Sequence, residues 1–191
     1  MAAQWAPGGA ARADLAARGP EAIAAIPTGI GSLSYGELAG ERMRLGLLLN
    51  DPEEEHDCFS DNTHNSHYYD GLGMRNAYLG EYTGIDGRRI TGPSLSDLVR
   101  ATDPALDAEM RARLADTMAA LGRIKIVAEG GLAYDRMLAR GNAEGEALIM
   151  AGVESLTAQT ESVERLFRAL GLDGADGMGP DSSDSPGAVF E

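Results

Sequence analysis

Apolar positions recur at helical spacing through most of the chain, and outside one polar stretch it reads as helix, helix connection or tail. The clearest run is 143–170, where Ile149, Val153, Leu156, Thr160, Val163, Phe167 and Leu170 alternate steps of four and three. That is the seam of a helix packed into a bundle, and Gly171 is placed to close it as a left-handed cap. A second long helix is predicted to start at Asp103-Pro104, an N-cap followed by a first-position proline. Its stripe is Leu106, Met110, Leu114, Met118 and Leu121, and a break is predicted at 125–131 around Gly130-Gly131. Short helices are predicted at 94–102 and 132–139.

The first third is less regular. A loose lead-in, 1–9, precedes a weak helical signal at 10–26, which Gly19-Pro20 divides, with Pro20 opening a second short helix. Residues 28–31 read as a turn, and a helix is predicted over 33–49. Ser32 or Ser34 caps that helix in this reading, with Glu37 at capping-box spacing from Ser34. Gly36 and Gly40 leave one face nearly bare. Glu37 and Glu41 share a stripe, either as a capping and a solvated residue or as a pair for a cation or an arginine. A further helix is predicted over 64–82, with Tyr68, Leu72, Leu79 and Tyr82 as its apolar positions, and 83–93 is a Gly-rich connection.

Between these helices lies the polar segment 53–70. It contains all three histidines (His56, His64, His67), the one cysteine (Cys58) and the carboxylates of Glu53, Glu54, Glu55, Asp57, Asp61 and Asp70. A transition-metal site needs three or four N, O or S donors in reach, and this is where the chain offers them. The spacing matches no standard zinc pattern, so the competing reading is a polar loop whose side chains cap helices. Cys58 and Ser60 lie near His56, but nothing positions an oxyanion hole. The clustered tyrosines fit the edge of a core.

Composition narrows the partners. The 191 residues suffice for one domain with a core, and scarce aromatics (5%) favour helices over a β-sandwich. A net charge of −14 repels phosphate backbones, so no nucleic-acid partner is expected. No apolar run approaches membrane-spanning length, and the first residues lack the apolar core of a signal peptide. Residues 172–191 are Gly-, Asp-, Ser- and Pro-rich and are predicted to be a disordered acidic tail.

Three motifs carry a resemblance: Ser32-Leu33-Ser34-Tyr35-Gly36-Glu37-Leu38-Ala39-Gly40-Glu41-Arg42-Met43, then Glu55-His56-Asp57-Cys58-Phe59-Ser60-Asp61-Asn62-Thr63-His64, then Asn76-Ala77-Tyr78-Leu79-Gly80-Glu81-Tyr82. Over about 5–171 the chain resembles the C-terminal half of imelysin-like proteins, also known as iron-regulated protein A or insulin-cleaving metalloproteinase-like proteins. The resemblance implies an all-α helical bundle over 1–171, a periplasmic or outer-membrane-associated place in the bacterial cell envelope, and a link to iron uptake. A metallopeptidase label attaches to the family, centred on Gly-x-His-x-x-Glu in the first half. This chain contains no His-x-x-Glu. Its expected partner is therefore the N-terminal helical half, or a separate chain that carries it.

His56, His64 and Asp61 are the candidate metal ligands, for iron or another divalent metal. Glu37, Glu41, Arg42 and Ser60 are candidates for a ligand or interface, and no residue is assigned a catalytic role. Three functions follow. The chain is a cell-envelope domain contributing to a metal- or ligand-binding site, half of a metallopeptidase, or a purely structural bundle that packs on a partner.

Overall fold

The computed structural model describes residues 2–172. Within them the chain forms α1 (Ala2–Trp5), α2 (Ala10–Ala17), α3 (Pro20–Ser32), a π-helical segment (Leu33–Arg44) and α4 (Leu45–Leu49). Single 3₁₀ turns at Pro52–Glu54 and Cys58–Ser60 lead into α5 (Thr63–Leu79). Then come β1 (Glu81–Thr83), β2 (Arg89–Thr91), α6 (Leu95–Thr102), α7 (Pro104–Glu129), α8 (Tyr134–Leu138) and α9 (Ala143–Leu170). The predicted all-α bundle is the observed fold, with one small antiparallel hairpin added. The predicted tail, apart from Leu172, lies outside the described residues.

The bundle is built around α9. Its predicted seam is the buried one: Ile149, Val153, Leu156, Val163 and Phe167 are each 1% exposed or less. Full burial of such side chains is worth roughly 1.5–3 kcal/mol each before entropy is counted. α9 lies along α7 and the π-helical segment, and α7 in turn carries α5 and α6. The caps predicted at Asp103 and Gly171 hold: Asp103 Oδ1 accepts the Leu106 N–H at 2.9 Å, and Gly171 closes α9 at φ 62°; Ser94, read only as the start of its helix, forms a capping box with Asp97.

Four sequence expectations give way to packing. The turn predicted at 28–31 lies inside α3, which continues unbroken through the π-helical segment into α4. Pro27 sits within that helix, and burial of Pro27, Ile30 and Gly31 offsets the hydrogen bond proline cannot make. Ser34 is accordingly no cap. It is buried, donates to Ile30 O at 2.7 Å and accepts from Gln159 Nε2 of α9 at 2.7 Å. The helix predicted over 64–82 ends at Leu79, because Gly80 turns left-handed (φ 62°) and 81–83 pairs with 89–91. There Glu81 bridges Arg75 and Arg89. Finally, α7 runs past the predicted break at 125 to Glu129, since Ile124 and Ala128 still face the core. The lead-in also contains one short helix, α1.

Candidate functional site

The polar segment is pinned back onto the bundle by Asp57. Its backbone N–H donates to Thr63 Oγ1 at 3.2 Å, and its carboxylate accepts from Ser60 Oγ at 2.7 Å and Ser66 Oγ at 2.9 Å. The two hydroxyls, Ser60 first, hold the Asp57 carboxyl below the usual carboxylate range. Asp61 makes the tight return in left-handed backbone, φ 51°, and Asn62 N–H bonds back to Asp57 O. Ser60 thus serves the loop's own shape. It is exposed, as are Asp61 and His56.

Beneath this loop sits His67, 0% exposed on the first turns of α5. Its ring lies 5.8 Å from that of His56 and 5.0 Å from that of Tyr134, the latter edge-on at 85°. Neither ring nitrogen of His67 has a hydrogen-bond partner. Burial first, then the positive fields of His56, Arg42 and His64, pull its pKa down to about 3. Its imidazole is therefore neutral at physiological pH, which is the metal-binding form. Tyr134 is equally buried, its hydroxyl is also unpartnered, and burial with the nearby Glu55 charge pushes its pKa up.

Glu55 is 6% exposed with Oε2 unpartnered. Burial chiefly raises its pKa, with Thr63's hydroxyl opposing and Asp135, Asp61 and Asp57 adding repulsion. Native interiors leave few polar atoms unsatisfied. Eight buried side-chain atoms lack partners among the described residues, and six belong to this neighbourhood: both nitrogens of His67, Tyr134 Oη, Glu55 Oε2, Asp135 Oδ1 and His64 Nδ1. That concentration separates the region from an ordinary helix cap.

Two cavities open beside it. One of about 570 Å³ is lined by His56, Asn62, Asn65, Ser66, Tyr69 and Asp70. The other, about 380 Å³, is lined chiefly by Glu53, Glu55, Cys58, Phe59, Asp61 and Asp135. Arg42 of the π-helical segment reaches Asp70 at 2.9 Å, tying the first cavity's wall to the bundle, and Glu37 at 3.1 Å. Burial pushes the Asp70 carboxyl up, with Arg42 opposing it.

The sequence-derived candidates separate in space. His56 faces His67. His64 Nε2 instead contacts Asn65 Nδ2 at 3.1 Å, and its field is felt by Glu129 at the end of α7. Asp61 lines the acidic cavity, while Glu37 pairs with Arg42 and Glu41 is exposed. Among the described residues no three His, Cys, Asp or Glu side chains are grouped to hold a metal ion.

Tyr134 and Asp135 were not singled out by sequence reasoning, and His67 and Glu55 were counted among the donors of the polar segment but not among its final site candidates. The signal for His67 was present, since α5 buries Thr63, His67, Gly71, Met74 and Tyr78, a helical stripe one position off the predicted 68/72/79 face. Gly71 decides the register: a Cβ there would lie 2.6 Å from Leu121 Cδ1, so the helices meet at the side without a side chain. Tyr134 and Asp135 lie far away in sequence, on α8, and no local pattern links them to the loop.

A protein-family model described as Imelysin, labelled peptidase M75, matches residues 1–163. Among curated proteins no match is found. No helix among the described residues is long and apolar enough to cross a membrane. The matched span takes in the π-helical segment, the Asp57-anchored loop and the buried His67–Tyr134 pair, and this chain belongs to the imelysin family.

Proposed function

We propose that the chain is a binding domain for iron uptake in the bacterial cell envelope. In this reading it contributes the His56–His67–Tyr134 cluster and its acidic surroundings to a metal- or ligand-binding site, and does not catalyse alone. The observation that supports it best is the buried, neutral imidazole of His67 with both nitrogens free of protein partners, set against a second imidazole. An unpaired buried polar group costs about 1–3 kcal/mol, a cost a bound ligand offsets.

The described residues do not by themselves fit a closed metal site, which wants three or four donors on one point. We therefore derive no step through a metal. The reading is that donors from the N-terminal helical half, or from a separate chain carrying it, complete the set begun by His56 and His67, with His64 and Asp61 as further candidates. The peptidase label of the matching family favours a second reading, in which the completed pair is a metallopeptidase.

Calorimetric titration of the metal-stripped chain with ferrous ion and with zinc ion tests the proposal, for the natural sequence, His56→Ala, His64→Ala and His67→Gln. Saturable binding that His56→Ala and His67→Gln abolish supports it. Binding indifferent to both changes, or no binding even with the N-terminal half added, refutes the metal-binding reading. Peptide cleavage that appears only with the half added and stops with a chelator would favour the peptidase reading.

A further inference from the structure

The 380 Å³ cavity shares no lining residue with the one beside His56. Glu53, Glu55, Asp61 and Asp135 line it, and no lysine, arginine or histidine does. Among the described residues none of these four carboxylates is in an ion pair. Glu55 is more than nine-tenths buried and its Oε2 has no hydrogen-bond partner, and Asp135 Oδ1 is likewise buried and unpartnered. Phe59, on the cavity wall, is wholly exposed at 106% of its reference area, although the loop that carries it is structured.

We propose that this cavity receives an arginine side chain presented by a second polypeptide. The acceptors choose the cation. A metal ion needs its donors converging on one point, and these carboxylates do not converge. A guanidinium spreads five N–H donors over a rigid plane and suits acceptors distributed around a cavity of side-chain size. Phe59 adds an aromatic face on which that plane stacks. A large exposed aromatic beside an acidic cavity that holds one buried carboxylate is also the composition of an interface anchor, and the net charge of −14 attracts a basic partner over longer range.

The inference shares with the proposed function a second polypeptide and the side chain of Asp61, a further metal-ligand candidate there and an arginine acceptor here. Its test is run with a chelator present, so that the arginine pocket and metal binding fail separately. The probe is the blocked peptide acetyl-Gly-Arg-Gly-amide, titrated into the ¹⁵N-labelled full chain, with matched lysine and citrulline peptides. Saturable shifts centred on the amides of 53–61 and 135 are expected with the arginine peptide. Binding should be about tenfold weaker with lysine and undetectable with citrulline.

Because Glu55 is buried, Glu55→Gln is read beside Asp61→Asn and Phe59→Ala, both at exposed positions. Each should weaken binding by about threefold to tenfold. No saturable shift, equal affinity for the lysine or citrulline peptide, or binding untouched by both surface substitutions overturns the proposal.

Discussion

Replacing His67 with phenylalanine should make the protein less sensitive to mild acid. The imidazole is fully buried between His56 and Tyr134, and its pKa falls from 6.5 to about 3 on folding. In the unfolded chain it takes a proton as pH drops through 6.5, and in the folded chain it does not. The unfolded state therefore binds more protons throughout that window. The stability associated with the neutral ring is complete above about pH 6.5 and is lost progressively as pH falls towards 3.

Each pH unit inside the window costs about 1.4 kcal/mol, so from pH 7.5 to 5 the loss due to His67 is about 2 kcal/mol. Phenylalanine keeps a ring of similar size against Tyr134 and takes up no proton. Glu55 and Asp70, whose pKa values are raised, and Asp57 and Asp107, whose values are lowered, remain in both proteins. They largely cancel in the comparison. The assay is urea unfolding followed by circular dichroism at pH 7.5, 6 and 5, with a chelator present. The difference in stability between His67→Phe and the natural chain should grow by about 2 kcal/mol across this range. A difference that stays constant from pH 7.5 to 5 would refute the claim that a neutral buried imidazole is what the fold holds.

Other substitutions probe how the bundle and the polar loop are held. Asp107 is 4% exposed and accepts from Tyr78 Oη at 2.9 Å, Ser96 Oγ at 2.5 Å and Arg111 Nε at 3.0 Å, so Asp107→Ala strands these donors. It should cost about 3 kcal/mol in urea unfolding. In Gly145→Ala the new methyl would sit 2.5 Å from Met137 Cα, so α8 must shift and carry Tyr134 with it. A loss of about 1–3 kcal/mol and an altered near-ultraviolet tyrosine signal should follow. Gly152→Ala clashes with only the flexible end of Met43, with Ile124 and Leu121 at ordinary contact distance, and should cost less. Asp57→Ala removes the acceptor for Ser60 and Ser66, and should show as faster amide exchange confined to 57–66.

The amino-acid order by itself determined the helical class and the long elements. Ile149 to Phe167 repeat at a spacing only a helix can place on one face, and Ser94, Asp103 and Gly171 act on backbone groups within a turn of themselves. Such signals are local, so they survive without knowledge of the neighbours. The polar loop was also legible, because three histidines fall within twelve residues.

Tertiary contact decided the rest. Thr28-Gly29-Ile30-Gly31 looks like a turn in isolation, yet helix packing holds it helical. Gly71 lets α7 approach and rotates α5 so that His67, not Tyr68, points inward. Only that rotation, together with α8 folding back across the loop, brings His67, His56, Tyr134 and Glu55 into one neighbourhood. Burial and unmet hydrogen bonds are properties of such an assembly, and no single stretch of chain carries them.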